Sequence, residues 1–316
     1  MKVTLEKAAD LIKQGETVAI PTETVYGLAA DAFNINAVKK IFKQKGRPAD
    51  NPLIVHISDL SQLKDLAKEI PEDLQKLAEQ FWPGPLSVVL KKQNSVPDIV
   101  TGGLNTVAIR MPDHSLTLSL IEKTGPLTAP SANISGRPSP TNPKHIVEDF
   151  GDDLPILDGG SSKLGLESTV LDISGQSVTI LRPGFIDTRI IEELLGKKIK
   201  MMDESDKKSG KKSPGTRFTH YKPKASVKWL DQSVQNISDS NSYFIFHSKK
   251  IKSIDQKNIH TYEGDYSSLA RDLYDHFRTA DHLSCHTIII EPFESSSVTH
   301  YLTPALKDRI ERAISS

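Results

Sequence analysis

Apolar and polar positions along the first 195 residues predict strands that alternate with helices. Leu5, Ala8 and Ile12 recur at helical spacing before Gly15, and a second helix is expected between Asn34 or Asn36 and Gly46. Short apolar runs predict strands at 17–20, 52–57, 85–92, 105–112, 168–173 and 178–184, and helical patterns lie at 59–68, 72–81, 114–125 and 187–196. The alternation is typical of an α/β fold, and the last two runs predict a hairpin, which makes the sheet mixed.

Two segments of this region carry little regular pattern. Residues 21–32 are expected to form a turn-rich stretch after the first strand, and 126–143 a short strand that opens into a long loop. The loop is rich in Ser, Pro and Asn, a composition that ordinary turn chemistry explains equally well.

The pattern changes after residue 195. Residues 196–224 are charged, rich in lysine and poor in core residues, which indicates a linker. Beyond them, apolar runs at 226–230, 242–247 and 286–292 predict strands, and helical stripes lie at 266–277 and 304–314. The sequence therefore predicts a first domain over 1–195, a linker over 196–224 and a smaller α/β domain over 225–316.

Composition excludes several classes of protein. Of 316 residues, 37% are apolar and 25% charged, which is enough for a packed core, and 40 basic residues balance 40 acidic ones, so the net charge does not favour nucleic acid or membrane. The single Cys285 excludes an internal disulfide and a cysteine-based zinc site and fits a reducing cytoplasm. No apolar run approaches the roughly 20 residues of a membrane span.

Familiar catalytic and nucleotide-binding motifs are absent from the chain. It lacks G-x-x-x-x-G-K-[ST], G-x-G-x-x-G, H-E-x-x-H and G-x-S-x-G. Polar residues at predicted strand ends remain, and Lys45, Arg47, Arg110 and Arg182 could converge on phosphate groups. Taken singly, each has a plainer interpretation: a basic helix end facing water, a surface arginine, or, for His56, a core side chain.

Seven motifs occur together, in one order, over residues 17–184. They are "PTETVYGLAADA", "KGRPADNPLIVH", "FWPGPLSVVL", "TVAIRMPDH", "PLTAPSANISGRPSPT", "STVLDI" and "ILRPG". This set resembles the YrdC-like family, the threonylcarbamoyl-AMP synthases, and "SPGTRFTHYKPKA" at 213–225 looks like the connector of its two-domain form. The resemblance implies an open twisted mixed sheet with flanking helices, followed by a smaller Rossmann-like α/β domain.

The resemblance also implies an activity. The family is a nucleotidyltransferase that forms L-threonylcarbamoyladenylate and pyrophosphate from L-threonine, bicarbonate or CO2, and ATP. The product supplies downstream transfer RNA threonylcarbamoyl transferase machinery, which modifies the adenosine next to the anticodon. Mg²⁺ bound through the ATP phosphates is expected, with no organic cofactor, no protein metal ligands and no covalent nucleophile.

Site residues follow from the same resemblance. For threonine they are Thr24, His56, Arg110, Ala129 and Ser168. For ATP they are Lys45, Arg47, Asn51, Thr106, Ser131, Ser139, Arg182 and Tyr221, of which Lys45, Arg47 and Arg182 would stabilise the charge that develops on pyrophosphate. Tyr221 would close over the nucleotide as part of a lid.

Other functions remain open at this point. A non-enzymatic module that binds transfer RNA or double-stranded RNA would use the same arginines through phosphates. The lysine run at 207–212 is typical of a solvated tether and leaves open a weak direct contact with transfer RNA. A carbamoyl-transfer enzyme of the hydrogenase-maturation type would need zinc-finger cysteines, which a chain with only Cys285 does not have.

Overall fold

The computed structural model describes most of the chain outside the lysine-rich part of the linker. The described residues are 1–202, 220–231, 237, 239, 241–248, 257–293 and 300–315. The lysine run at 207–212, for which a tether is predicted, lies outside the described residues.

A mixed sheet of eleven strands forms the first unit within the described residues. Its strands are β1 Lys2–Val3, β2 Val18–Ile20, β3 Gly27–Asp31, β4 Ile54–His56, β5 Leu86–Lys91, β6 Thr106–Arg110, β7 Leu127–Thr128, β8 Ile156–Leu157, β9 Thr169–Asp172, β10 Thr179–Arg182 and β11 Lys200–Met201. They lie in the order β1-β8-β2-β3-β7-β4-β6-β5-β9-β10-β11. The pairs β2–β3, β3–β7, β4–β7, β5–β6 and β9–β10 are antiparallel, so the predicted mixed sheet and its final hairpin are confirmed.

Helices pack against this sheet through apolar clusters. They are α1 Leu5–Lys13, α2 Ile35–Lys45, α3 Leu63–Leu66, α4 Glu72–Phe81, α5 Asp98–Thr101, α6 Ser115–Thr124, α7 Pro143–Phe150 and α8 Thr188–Leu195. The caps of α2 are those that the sequence predicts: the Asn34 side chain accepts from two backbone N–H groups, and Gly46 ends the helix at φ 61°. Ile12 of α1 and Leu120 of α6 share one cluster with Leu127 of β7.

The second unit is a parallel four-stranded sheet with two described helices. Its strands are β12 Ser226–Trp229, β13 Ser242–Phe246, β14 Ile259–Thr261 and β15 Thr287–Ile290, in the order β12-β15-β13-β14, and its helices are α9 Tyr266–His282 and α10 Thr303–Ile314. This confirms the expected smaller α/β unit. None of the helices in the described part of the chain has the length and apolar character that crossing a bilayer requires.

The structure differs from the sequence-based expectation at several places, among them the strands β1, β8 and β14 and helix α5, which the sequence analysis does not predict. The turn-rich segment contains β3, whose small residues "GLAAD" carry no strand signal of their own but are buried between β2 and β7. The predicted loop after residue 128 ends in α7, which Asn142 caps. Strand β11 pairs with β10, so Lys200 and Met201 extend the larger sheet. The division at 195 and 224 stays a prediction.

The two units share one apolar cluster and a close backbone contact. Val25 and Leu166 of the first unit belong to the same cluster as Leu273 and Ile288 of the second. Gly165 has φ +79°, and a Cβ there would lie 2.3 Å from the Arg271 backbone of α9. Only glycine lets the loop before β9 approach this helix so closely.

We expect Gly165→Ala to lower the free energy of unfolding by about 2 kcal/mol or more, because left-handed strain adds to a backbone clash. Gly196→Ala is the matched control. Gly196 has φ +63°, but no atom of the described residues lies within 4 Å of the place that a methyl group would take, so its loss should be only about 1 kcal/mol. Urea unfolding measures both; equal losses would mean that the contact with α9 does not constrain this loop.

Candidate functional site

A cavity that is partly open to solvent lies on the larger sheet, and its empty space, with open solvent included, is about 670 Å³. Ten of the thirteen residues predicted for the site line it: Thr24, Arg47, His56, Arg110, Ala129, Ser131, Ser139, Ser168, Arg182 and Tyr221. The sequence therefore predicts most of the polar wall, although it does not predict how the residues come together.

Strand directions explain how residues far apart in sequence meet. His56 and Arg110 end the parallel strands β4 and β6 in register. Strand β9 runs opposite to β6 and β10 runs opposite to β9, so Ser168 and Arg182 lie at the same edge as Arg110. The loops after β2 and β7 leave from the other edge. The cavity thus crosses the face of the sheet between residues that the sequence analysis places at strand ends.

Arg110 is fixed from three sides. Its Nη2 lies 2.6 Å from Oε2 of Glu23, and both side chains are 4% exposed. Its Nη1 donates to Oγ1 of Thr24 at 2.9 Å, and its Nε donates to the Gly84 carbonyl at 3.1 Å. Sequence reasoning missed Glu23; its position between Thr22 and Thr24 in "PTET" was the available signal.

Ser168 and Arg182 form one hydrogen-bonded unit. The Arg182 guanidinium donates to the Ser168 carbonyl at 3.0 and 3.1 Å and to its Oγ at 3.1 Å. The Ser168 hydroxyl also lies 2.8 Å from the hydroxyl of Ser87. A residue predicted for threonine therefore touches a residue predicted for the nucleotide.

Lys45 lies behind the cavity wall. Its Nζ donates to the carbonyls of Ser131 and Asn133, each at 2.5 Å. Burial, and then the charge of Arg47, hold the pKa of Lys45 well below its usual value. Burial lowers the pKa of Arg47 to about 10, and its guanidinium donates to the Pro52 carbonyl at 3.1 Å.

Asn51 and Thr106 also do not line the cavity. Asn51 is buried in the turn before β4, where its carbonyl lies 3.5 Å from Nε of Arg47. Thr106 begins β6, at the opposite end of that strand from Arg110, and pairs with Lys91. The ATP-binding roles of Lys45, Asn51 and Thr106 stay predictions.

The second unit contacts the cavity wall at Glu167, which belongs to the first unit. This carboxylate accepts from Oγ of Ser139 at 2.6 Å, from the Tyr274 hydroxyl at 3.0 Å and from Nε of Arg309 at 3.0 Å. Burial alone would raise the pKa of Glu167, but the charges of Arg309 and Arg182 outweigh it and lower this pKa. The sequence offered no signal for these partners, which lie 107 and 142 positions further on.

Tyr221 is held in the wall by the second unit. Its backbone is left-handed at φ 67°, and its ring stacks on that of Tyr274 with centroids 5.2 Å apart. The guanidinium carbon of Arg309 lies 5.7 Å from the centroid of the Tyr221 ring. The predicted position of Tyr221 at the cavity therefore depends on helices α9 and α10.

The arrangement suits binding of anions more than nucleophilic catalysis. Four arginines and several hydroxyls line the space, and Glu167 is the one acidic side chain among the described lining residues. No group of three or more potential metal ligands occurs within the described residues. Such a site can orient charged reactants and stabilise charge that shifts between them.

Comparison with known proteins agrees with this geometry. A family model described as "Telomere recombination" matches residues 10–184, and one described as "Threonylcarbamoyl-AMP synthase, C-terminal domain" matches residues 186–315. The chain is 42% identical to threonylcarbamoyl-AMP synthase of Pyrococcus abyssi, over 97% of this chain and 92% of the relative. It is 41% identical to that of Bacillus subtilis, over 93% of this chain and 89% of the relative.

A solved structure shows the same fold over the whole length. The crystal structure of P. abyssi Sua5 complexed with L-threonine matches with a TM-score of 0.86 at 38% identity and covers 100% of this chain and 97% of the other. The expected fold class is thereby confirmed, including the second α/β unit. This chain belongs to the two-domain family of threonylcarbamoyl-AMP synthases.

Proposed function

We propose that this protein forms L-threonylcarbamoyladenylate and pyrophosphate from L-threonine, bicarbonate or CO2, and ATP. One observation carries the proposal: Arg182, predicted for the nucleotide, bonds directly to Ser168, predicted for threonine, inside a single cavity. An amino acid and the innermost phosphate of a nucleotide would therefore lie side by side. The relatives' shared name and the L-threonine held by the P. abyssi protein support it.

Threonine binds at the end of the cavity that holds Arg110. A guanidinium that is already oriented by Glu23, Thr24 and Gly84 is suited to a carboxylate, because little rotamer freedom is lost on binding. The hydroxyl of Ser168 and the backbone near Ala129 supply further polar contacts. His56 is neutral, since burial and then the charge of Arg110 lower its pKa to about 3.

ATP binds at the end that holds Arg47, Ser131, Ser139 and Arg182, and Tyr221 closes over it. Glu167 already accepts from Ser139, Tyr274 and Arg309, so it is not a free ligand for a cation. We expect ATP to enter as its magnesium complex, with the ion held by phosphate oxygens and water.

The chemistry needs positioning more than a protein nucleophile. The neutral amine of threonine adds to CO2 and loses a proton to give a carbamate. A carbamate oxygen then attacks the α-phosphorus, and the bond to the bridging oxygen breaks to release pyrophosphate. Arg47 and Arg182 stabilise the charge that moves onto pyrophosphate, and closure of Tyr221 over the nucleotide would protect the labile carbamate from water.

We propose that the product is the substrate of a transferase that modifies an adenosine of transfer RNA, because a mixed anhydride of carbamate and AMP is an activated acyl donor. The family name and the tRNA-linked role that the family resemblance implies support this placement. A direct, weak contact with transfer RNA remains a separate part of the proposal.

Pyrophosphate release from ATP tests the proposed function. We expect release only when threonine and bicarbonate are both present, with adenylate product detected by mass spectrometry. Release that is independent of either co-substrate, or salt-sensitive RNA binding in a chain without turnover, would overturn the assignment.

Arg47→Ala should raise the KM for ATP by about tenfold or more, because a charged hydrogen-bonding group is lost, and should leave the KM for threonine nearly unchanged. Ser168→Ala should raise the KM for threonine and leave the KM for ATP nearly unchanged. Steady-state kinetics with each substrate varied in turn measures both, and a reversed pattern would mean that the two ends of the cavity are assigned the wrong way round.

The free energy of unfolding should fall at low pH, in part because the unfolded chain protonates His56 more readily than the folded chain does. The pKa of His56 is lowered from 6.5 to about 3 in the folded chain, so the unfolded chain binds more protons between these values and stability is lost as pH falls through that window. We expect His56→Gln to reduce the difference in unfolding free energy between pH 7 and 4.5 by about 2 kcal/mol. The exposed His286→Gln is the control; an unchanged difference in His56→Gln would show that the imidazole is not kept neutral.

A further inference from the structure

The segment from 131 to 139, here termed the serine loop, carries the two serines predicted for ATP. Part of it is held by the first unit itself. Nζ of Lys45 binds two of its carbonyls, and the Asn133 amide donates to the carbonyls of Ile134 and Arg137 at 2.8 and 2.9 Å. These bonds shape the turn, but they do not explain what holds its far end.

The first external support is Asp149, whose side chain has no exposed surface. Its carboxylate accepts from the Ile134 N–H at 3.1 Å and from Nη1 of Arg137 at 3.0 Å. The same carboxylate binds both Nη atoms of Arg278, on α9, at 3.0 and 3.1 Å. Arg278 also donates to the Pro138 carbonyl at 2.6 Å, so it touches the loop directly.

The second external support is Glu167. It accepts from the Ser139 hydroxyl at 2.6 Å and from Nε of Arg309, on α10, at 3.0 Å. The Arg309 side chain is fully buried, and its Nη1 donates to the Pro183 carbonyl, next to Arg182, at 3.0 Å. One arginine therefore connects both flanks of the nucleotide end of the cavity.

The two supports have the same design. In each, a buried carboxylate of the first unit is shared between the serine loop and an arginine of the second unit. Removing Arg309 leaves Glu167 without its hydrogen-bonded counter-charge, and removing Arg278 leaves Asp149 paired with Arg137 alone, so in both cases the buried carboxylate will rearrange. Ordinary domain packing needs neither feature, since apolar contacts such as those around Leu273 already join the units.

We propose that the C-terminal unit positions the serine loop for the nucleotide through two pairs, Arg278–Asp149 and Arg309–Glu167. Arg278 and Arg309 are thus positioning residues for ATP that do not touch the substrate; both act through carboxylates, and Arg278 also acts through the Pro138 carbonyl. This inference rests on the proposed function only in assuming that the serine loop binds nucleotide.

Direct binding measurements distinguish a positioning role of the two arginines from general damage to the structure. In the full chain we expect Arg309→Lys and Arg278→Lys to raise the Kd for a non-hydrolysable ATP analogue by about tenfold, while the Kd for L-threonine stays within about twofold. Arg271→Gln is the matched control, because the Arg271 side chain also lies on α9 but is half exposed and pairs with its neighbour Asp272. Calorimetric titration measures both ligands.

A double-mutant cycle then tests the route through Ser139. If Arg309 acts through Glu167 on this hydroxyl, Arg309→Lys should weaken ATP binding much less in a Ser139→Ala background than in the wild type. Tyr274→Phe, which removes a single donor to Glu167, serves as the milder variant should Arg309→Lys not fold, and it should shift ATP binding in the same direction.

Additive losses in the cycle, or equal weakening of ATP and threonine binding, would overturn the proposal. A wild-type chain that binds the ATP analogue but releases no pyrophosphate would overturn the proposed function alone, and positioning would still be judged from the Kd values. A wild-type chain that binds no nucleotide would overturn both.

Discussion

The constraint on which this structure depends is the cost of burying several cations in one region. Lys45, Arg110 and Arg182 are buried and Arg47 is half-buried, and each needs oxygen atoms nearby. Arg110 receives a full counter-charge from Glu23, whereas Arg47 and Lys45 are satisfied by backbone carbonyls. Backbone carbonyls accept the hydrogen bonds of these cations, but they do not cancel the positive charge. Arg47 therefore keeps a charge that a bound anion can neutralise, whereas the charge of Arg110 is already balanced by Glu23.

The same constraint explains why two units are built around one cavity. The face of the larger sheet forms one side of the cavity. The sheet alone would leave the charged side chains exposed to solvent on the opposite side. Helices α9 and α10 close that side and bring Tyr274 and Arg309 to Glu167. Stacking on Tyr274 then fixes Tyr221 near the end of the predicted linker. Binding chemistry and domain packing use the same side chains here.

Local features of the fold could be predicted from the sequence, because short-range chemistry decides them. The Asn34 cap, the Gly46 stop and the β9–β10 hairpin are examples. Strand β3 escaped prediction because its alanines have no intrinsic strand preference and become a strand only between two neighbours. For the site, motif resemblance identified ten lining residues. It could not reveal Glu167 or Arg309, since their pairing depends on how distant segments meet in space.

Burial of Arg309 within the last helix has a consequence for how the protein matures. Its side chain is fully enclosed and lies against Glu167, which is 142 positions earlier in the chain. During synthesis the first unit can collapse around its own sheet well before that helix exists. Glu167 will spend this interval without Arg309 and Tyr274, so a nascent or prematurely terminated chain lacks the side chains that close this wall of the cavity. Completion of the polypeptide itself thus sets the moment at which this wall of the cavity can be complete.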